Sequence, residues 1–558
     1  MIQALLAAEA DKIQDFIFRA AHLREVTGGS ALLTRFCDEI PTLLRMESKN
    51  SIIHDGGNFR LAFDSESQAI EAGTVLADLY YQMTGCSLTV APPVAWDGSE
   101  GLFKGANEQA GSALRSAKRT KSAVTTAHLP YTAFCASTGI ELAASFEAVK
   151  LGQRENYVSQ PSLFKNYESK GNARKQFLDK FLKQVVGEDL LQEFDCPDEA
   201  DQVGRYDPRN YVAYMVADGN GMGAIFGECK TAVQLSTLSK KLSEIVRESL
   251  AIPSRRYLHE PKQNRVIPVL PMILGGDDLF VLLPAPTALA FAQEFCQQFE
   301  QKMAACLQKD LGMSLNAANR PTMSVAIVIC KASYPFQLAH EQGESILKAA
   351  KRFAKLLPQE KRCSTINVQL IVGSQLGDTL SESNYYPHLG PCRVGDSEPF
   401  SDAPGTTVAT LLTVRRLLDG FEQKPRAQLE ALFDYDQLQQ LENDTKRKEW
   451  QQKLEAKVKR IGSLRDKERQ ANPHTDELLK QLHFDPAKLD ARFRNYSAFG
   501  KLLIHLLTLL GDNFDQAYWR NIGQSGEKIY GNALPRVFEL WNYLQVLPTV
   551  ADEKEQAV

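Results

Sequence analysis

Two kinds of apolar pattern recur along the chain. Short continuous apolar runs end in glycine and acid, and longer stretches repeat their apolar positions every three or four residues. Residues 269–274 and 279–283 are runs of the first kind, and they flank Gly275-Gly276-Asp277-Asp278. That layout predicts a β-hairpin, with the glycines making the tight turn and the carboxylates pointing outward. Residues 211–217 predict a strand ending at Asp218, followed by Gly219, Gly221 and Gly223, and residues 364–372 predict the last strand of the same unit. Residues 344–355 read as a helix with Ile346, Ala350 and Phe353 on one face and Lys348, Lys351, Arg352 and Lys355 on another. Helical spacing also runs through residues 407–421, 428–441, 446–469 and 492–510.

The same order of elements occurs near the N-terminus. Ala10-Asp11 closes an apolar segment as Ala217-Asp218 does. His54-Asp55-Gly56-Gly57-Asn58-Phe59 resembles the later hairpin, with Asn58-Phe59 standing where Asp277-Asp278 stand. Residues 114–119, ending in Lys118-Arg119, parallel residues 347–352, ending in Lys351-Arg352. The chain therefore reads as a duplicated nucleotide-binding unit whose first copy lacks the acidic pair.

Adjacent carboxylates repel unless a cation or proton lies between them. Asp218 at a strand end and Asp277 with Asp278 on a neighbouring hairpin make a plausible ligand set for two divalent ions, the requirement of in-line nucleotidyl transfer. Gly219, Gly275 and Gly276 would admit a phosphate close to the backbone, and Lys351 would neutralise it. Each element also has a bland reading: Asp and Gly are the commonest turn residues, and a basic helix face is usually just solvated.

Taken together, these residues resemble the large palm-domain subunit of type III CRISPR effector complexes, of the Csm/Cmr type. The resemblance covers most of the chain. It rests on residues 11–18, Asp-Lys-Ile-Gln-Asp-Phe-Ile-Phe, with residues 23–30, Leu-Arg-Glu-Val-Thr-Gly-Gly-Ser, and on Gly275-Gly276-Asp277-Asp278. Either motif alone also fits a diguanylate cyclase or a class III nucleotide cyclase. The resemblance implies an α+β fold. It places two ferredoxin-like palms at residues 1–125 and 206–375, a mostly helical insert at 126–205, a linker at 376–405 and an all-helical segment at 406–558.

It further implies that ATP is joined into cyclic oligoadenylate when the complex meets target RNA. Asp218, Asp277 and Asp278 would hold Mg²⁺ or Mn²⁺, and Gly28, Gly29 and Ser30 would give the first palm backbone and hydroxyl donors for a second ATP. The alternative for those three is a loop-to-helix cap, with Ser30 capping residues 31–36. The chain begins at the first palm without an HD nuclease motif, so no DNase activity is expected from it. The family's zinc insert uses paired cysteines. Here Cys135 and Cys196 stand alone, which predicts small buried hydrophobes and no zinc.

Composition bounds the partners. The 558 residues carry a formal net charge of −4 and 44% hydrophobic residues, enough for packed cores in more than one domain but no global case for nucleic-acid binding. Contact with guide and target RNA is therefore expected mainly through sister subunits. The basic stretch at 446–469 is laced with acids and reads as a solvated helix. Ten cysteines without a framework and no apolar leader fit a reducing cytoplasm, and the apolar run at 502–510 is too short to span a bilayer. Two further readings stay open: a catalytically silent scaffold, and a palm enzyme releasing a dinucleotide or adenylate conjugate.

Overall fold

The structure, a computed structural model, describes residues 2–372 apart from 21, 48–49, 121–130, 148–154, 171, 260–264 and 317–319. Beyond them it describes 391–395, 406–419, parts of 445–457, 520–522, 527–529 and 534–548. The predicted helices at 428–441 and 492–510 lie outside the described residues, as does most of 446–469.

The first unit runs β1 (Ala4–Ala10), α1 (Ile13–Phe18), α2 (Leu23–Leu43), β2 (Ser51–Asp55), β3 (Asn58–Phe63), α3 (Glu66–Thr84), β4 (Leu88–Val90), β5 (Val94–Ala95) and α4 (Glu100–Thr120). Between the palms come a small hairpin, β6 (Ser145–Glu147) with β7 (Asn156–Val158), and helices α5 (Gln160–Lys170), α6 (Asn172–Val186) and α7 (Ala200–Gly204). The second unit runs β8 (Tyr211–Asn220), α8 (Met222–Gly227), α9 (Ala232–Ser254), β9 (Leu270–Gly275), β10 (Asp278–Pro284), α10 (Ala288–Ala305), β11 (Thr322–Lys331), α11 (Phe336–Leu356) and β12 (Thr365–Leu370).

The two sheets share one topology. The first is ordered β2-β3-β1-β4, and the second contains β9-β10-β8-β11 in the matching places. Both are the βαββαβ arrangement of a ferredoxin-like palm. In the second palm β12 joins β11 in parallel, and β13 (Cys392–Arg393) pairs antiparallel with β12. The strand at 364–372 is thus not the last: a two-residue strand from the expected linker closes the sheet edge. Such a short strand carries no periodic signal and is made visible only by its pairing.

The central strand β8 is buried almost throughout, between β10 and β11. A strand enclosed in this way reads as a continuous apolar run. Tyr214 stacks on Phe280 of β10 with centroids 5.7 Å apart. The helix α11 approaches this face so closely that a Cβ on Gly343 would meet Val216 Cγ2 at 2.6 Å. Close packing here fixes the helix that carries Lys351.

Of the C-terminal segment, α12 (Val408–Asp419) falls where helical spacing predicts it. The described residues also include a hairpin, β14 (Arg520–Ile522) with β15 (Glu527–Ile529), before α13 (Leu534–Glu539). The segment is therefore not purely helical. Among the described residues no helix is long and apolar enough to cross a membrane.

Candidate active site at the palm hairpins

The strand β8 delivers Asp218 to the open end of the second sheet, and the hairpin β9–β10 brings Asp277 and Asp278 beside it. Leu279 pairs with Ala217, so the ladder continued by one residue sets Asp278 opposite Asp218. The turn consists of Gly276 and Asp277, with φ positive at Gly276 (60°) but not at Asp277. That is the pattern of a type II′ turn, which demands glycine first and leaves the second position free for an acid. Asp277 leans over the end of β8: a Cβ on Gly219 would meet its Oδ2 at 2.9 Å. Gly219 is thus the space that lets Asp277 approach Asp218.

The crowding has an electrostatic signature. Burial and then Asp218 push the Asp277 carboxyl up to about 6. Asp278 is raised as well, by the packing of the hairpin and by Asp277 and Asp218, and its carboxyl hydrogen-bonds Asp218. The Asp278 side chain is more open to water than that of Asp277. Lys351, from α11, places Nζ 2.6 Å from Asp218 Oδ2. Glu344, two turns earlier on α11, is raised by burial despite Lys351, and accepts from Gln14 Nε2 of the first palm at 3.4 Å. The sequence reading missed Glu344, although its seven-residue spacing from Lys351 puts the two on one helix face.

No group of three or more His, Cys, Asp or Glu side chains among the described residues is arranged as it stands to hold a metal ion. In this arrangement Lys351 pairs with Asp218. The donors fit a hard divalent cation in kind, since all are carboxylates, and three acids drawn this close require a counter-charge.

Gly275 and Gly276 meet the first palm. A Cβ on Gly56 would lie 3.8 Å from Gly275 C and from Gly276 N, so the two hairpins touch turn to turn. The register corrects the internal comparison made from sequence. Glu9 pairs with Asn58, as Asp218 faces Asp278, so Glu9 and not Asp11 is the counterpart of Asp218. Asp11 instead matches Asn220: its carboxylate accepts from Thr89 Oγ1 at 2.9 Å, as the Asn220 amide oxygen accepts from Ser324 Oγ at 2.9 Å. By the same register Asn58 stands for Asp278, and Gly57 stands for Asp277. Lys118 Nζ lies 2.6 Å from Glu9 Oε1, repeating the Lys351–Asp218 pair.

Gly28, Gly29 and Ser30 are not a phosphate loop, nor is Ser30 a helix cap. All three are buried inside α2, which starts at Leu23, so their backbone N–H groups are committed to the helix. The Ser30 hydroxyl donates to the carbonyl of Met272 in the second palm, and a Cβ on Gly29 would touch the Lys165 side chain at 3.6 Å. The small residues let α2 sit close against its neighbours. Cys135 and Cys196 are buried and unbridged.

Residues 211–355 match the family model described as Cas10/Cmr2, second palm domain. No curated protein matches the chain. Among solved structures it is similar to a Csm1–Csm4 cassette in complex with cA4 (14% identity, TM-score 0.43, covering 66% of this chain and 54% of that one). It is also similar to the same cassette with one ATP (13%, 0.42, 67% and 55%) and to Csm1 in T. onnurineus (15%, 0.37, 63% and 52%). The chain thus spans about half the length of the solved chains that it matches. The acids, the hairpin and Lys351 all lie within the matched segment, which is similar to the second palm domain of Cas10/Cmr2.

Proposed function

We propose that the second palm is a nucleotidyltransferase centre that takes ATP as substrate, with Asp218, Asp277 and Asp278 as the ligands of Mg²⁺ or Mn²⁺. The observation that carries this reading is the meeting of Asp218 with the hairpin acids under Lys351, 2.6 Å from Asp218. A purely structural turn has no use for three carboxylates that raise one another's protonation. When bound, the divalent ions would activate the attacking 3′-hydroxyl and spread charge from the α-phosphate and the departing pyrophosphate.

The protein's own residues supply the rest. Lys351, which pairs with Asp218 here, would neutralise the triphosphate. Gly219 keeps the strand end open to Asp277, and the Gly276 turn fixes both hairpin acids on a rigid ladder. The product proposed is cyclic oligoadenylate, made by this chain as a subunit of a type III CRISPR complex with its sister subunits, guide RNA and target RNA.

The test is incubation with Mg²⁺ and ATP, with and without assembled complex and target RNA, followed by mass analysis. Cyclic adenylate oligomers with pyrophosphate release support the proposal. A dinucleotide or an adenylate conjugate changes the product and keeps the centre. No turnover under any condition leaves a scaffold.

A further inference from the structure

Behind the touching hairpins lies a cavity of about 260 Å³, away from the acid cluster. Its walls come from three parts of the chain: α2 and β2 of the first palm, α6 of the insert, and α9 and β9 of the second palm. Five formally charged side chains line it. The two acids are already engaged. Asp38 pairs with Lys180 at 3.2 Å, and Asp55 accepts from Gly56 N at 2.8 Å and from the Ser243 hydroxyl.

Of the three cations, two are not matched in the same way. Among the described residues neither Arg247 nor Lys240 stands in an ion pair within 4 Å. Arg247 is half-buried, and burial holds its guanidinium below its ordinary value, against the pull of Asp55, Glu244, Asp38 and Glu248. A guanidinium partly withdrawn from water, with no carboxylate in direct contact, gains most from an anion that it can grip with two N–H groups. His54 adds to the lining: its Nδ1 lies 3.0 Å from the Cys37 carbonyl and so donates there, leaving Nε2 as the ring's remaining polar atom.

We infer that this cavity binds a small phosphate-bearing anion, anchored on Arg247 and supported by Lys240. The site lies outside the nucleotidyl-transfer centre and does not depend on that reading. Its placement gives the ligand a mechanical consequence. Asp55 directly precedes the Gly56-Gly57 turn, and Leu274, also in the lining, directly precedes Gly275, so the cavity floor is continuous with the contact between the hairpins. An anion on Arg247 therefore sits beside that contact.

The experiment is calorimetric titration of the full chain in EDTA with inorganic pyrophosphate and, separately, with AMP. Saturable binding is expected, weakened roughly tenfold in Arg247→Gln, less in Arg247→Lys, and about threefold in Lys240→Ala, whose exposed position spares the fold. Hydrogen exchange at residues 54–57 and 274–277 should slow on binding. Comparable affinity for AMP assigns the site to nucleotide phosphates, and preference for pyrophosphate assigns it to the inorganic anion. The absence of saturable heat to about 10 mM, or binding that survives Arg247→Gln unweakened, overturns the inference.

Discussion

In the first palm Glu9 meets Lys118 at 2.6 Å, and in the second Asp218 meets Lys351 at the same distance. Strand order and register agree around both pairs. The difference lies in the hairpin. Where the second palm has Asp277 and Asp278, the first has Gly57 and Asn58. At Gly57, φ is 75° and a Cβ would meet Ile13 Cδ1 at 2.6 Å and Ala10 Cβ at 2.9 Å. The first palm has filled with hydrocarbon the space that Gly219 keeps clear for Asp277. A duplicated fold thus keeps its lysine–carboxylate pair in both copies, while a glycine moved by one strand decides which copy can gather three acids.

The largest effect expected is from Asp277→Ala with Asp278→Ala. ATP turnover should fall at least about a thousandfold, worth about 4 kcal/mol of transition-state stabilisation, while complex assembly and the melting temperature hold. Loss of folding in that variant would make the hairpin a structural turn and dissolve the contrast between the palms.

The helices α4 and α11 differ at matching positions too. Eleven residues before its lysine α11 carries His340, buried and stacked on Phe18 at 3.7 Å, where α4 carries Asn107, bound to Arg60. Burial holds His340 down at about 4 from 6.5, even with Glu344 Oε1 3.7 Å away. Between those values the unfolded chain binds a proton that the folded chain rejects. Stability should therefore rise with pH from about 4 to 6.5, by about 3 kcal/mol at most, and be lost as pH falls through that window. Denaturant unfolding of His340→Phe across the window should show a shallower slope.

A third change would try to rearm the first palm. Gly57→Asp should cost about 1–3 kcal/mol of stability, from positive φ and from collision with Ile13, and should yield no added cation binding. Adding Ile13→Ala should relieve the collision but not the backbone strain, and a full recovery would show that φ is unimportant there.

Finer still is the comparison of the lysines. Lys351→Ala should weaken ATP turnover about tenfold, chiefly through KM, and Lys118→Ala should weaken it by less, because no acidic pair stands beside Lys118. Equal losses would mean that the first palm shares the chemistry.

The hairpin, the strand that carries Asp218 and the basic helix were legible because glycine turns and apolar runs mark them directly, although β8 runs past the expected end at Asp218 to Asn220. The detailed match between the palms was not. Ala10-Asp11 imitates Ala217-Asp218 in composition, but equivalence is set by cross-strand pairing, which puts Glu9 opposite Asn58. A glutamate inside an apolar run was the available signal. Gly28-Gly29-Ser30 misled for a related reason: a Gly-Gly pair usually punctuates a loop, yet here it thins one face of α2 so that Ser30 can reach Met272. Tertiary packing outweighed local preference, and no spacing within α2 reveals the neighbour it meets.

The central claim is that cation binding belongs to the second palm alone. Titration of Mn²⁺ followed by electron paramagnetic resonance, with ATP present, tests it most directly. The account predicts that Asp277→Asn with Asp278→Asn abolishes tight Mn²⁺ binding while Glu9→Gln leaves it intact; loss of binding in Glu9→Gln, or its survival in the double variant, would contradict it.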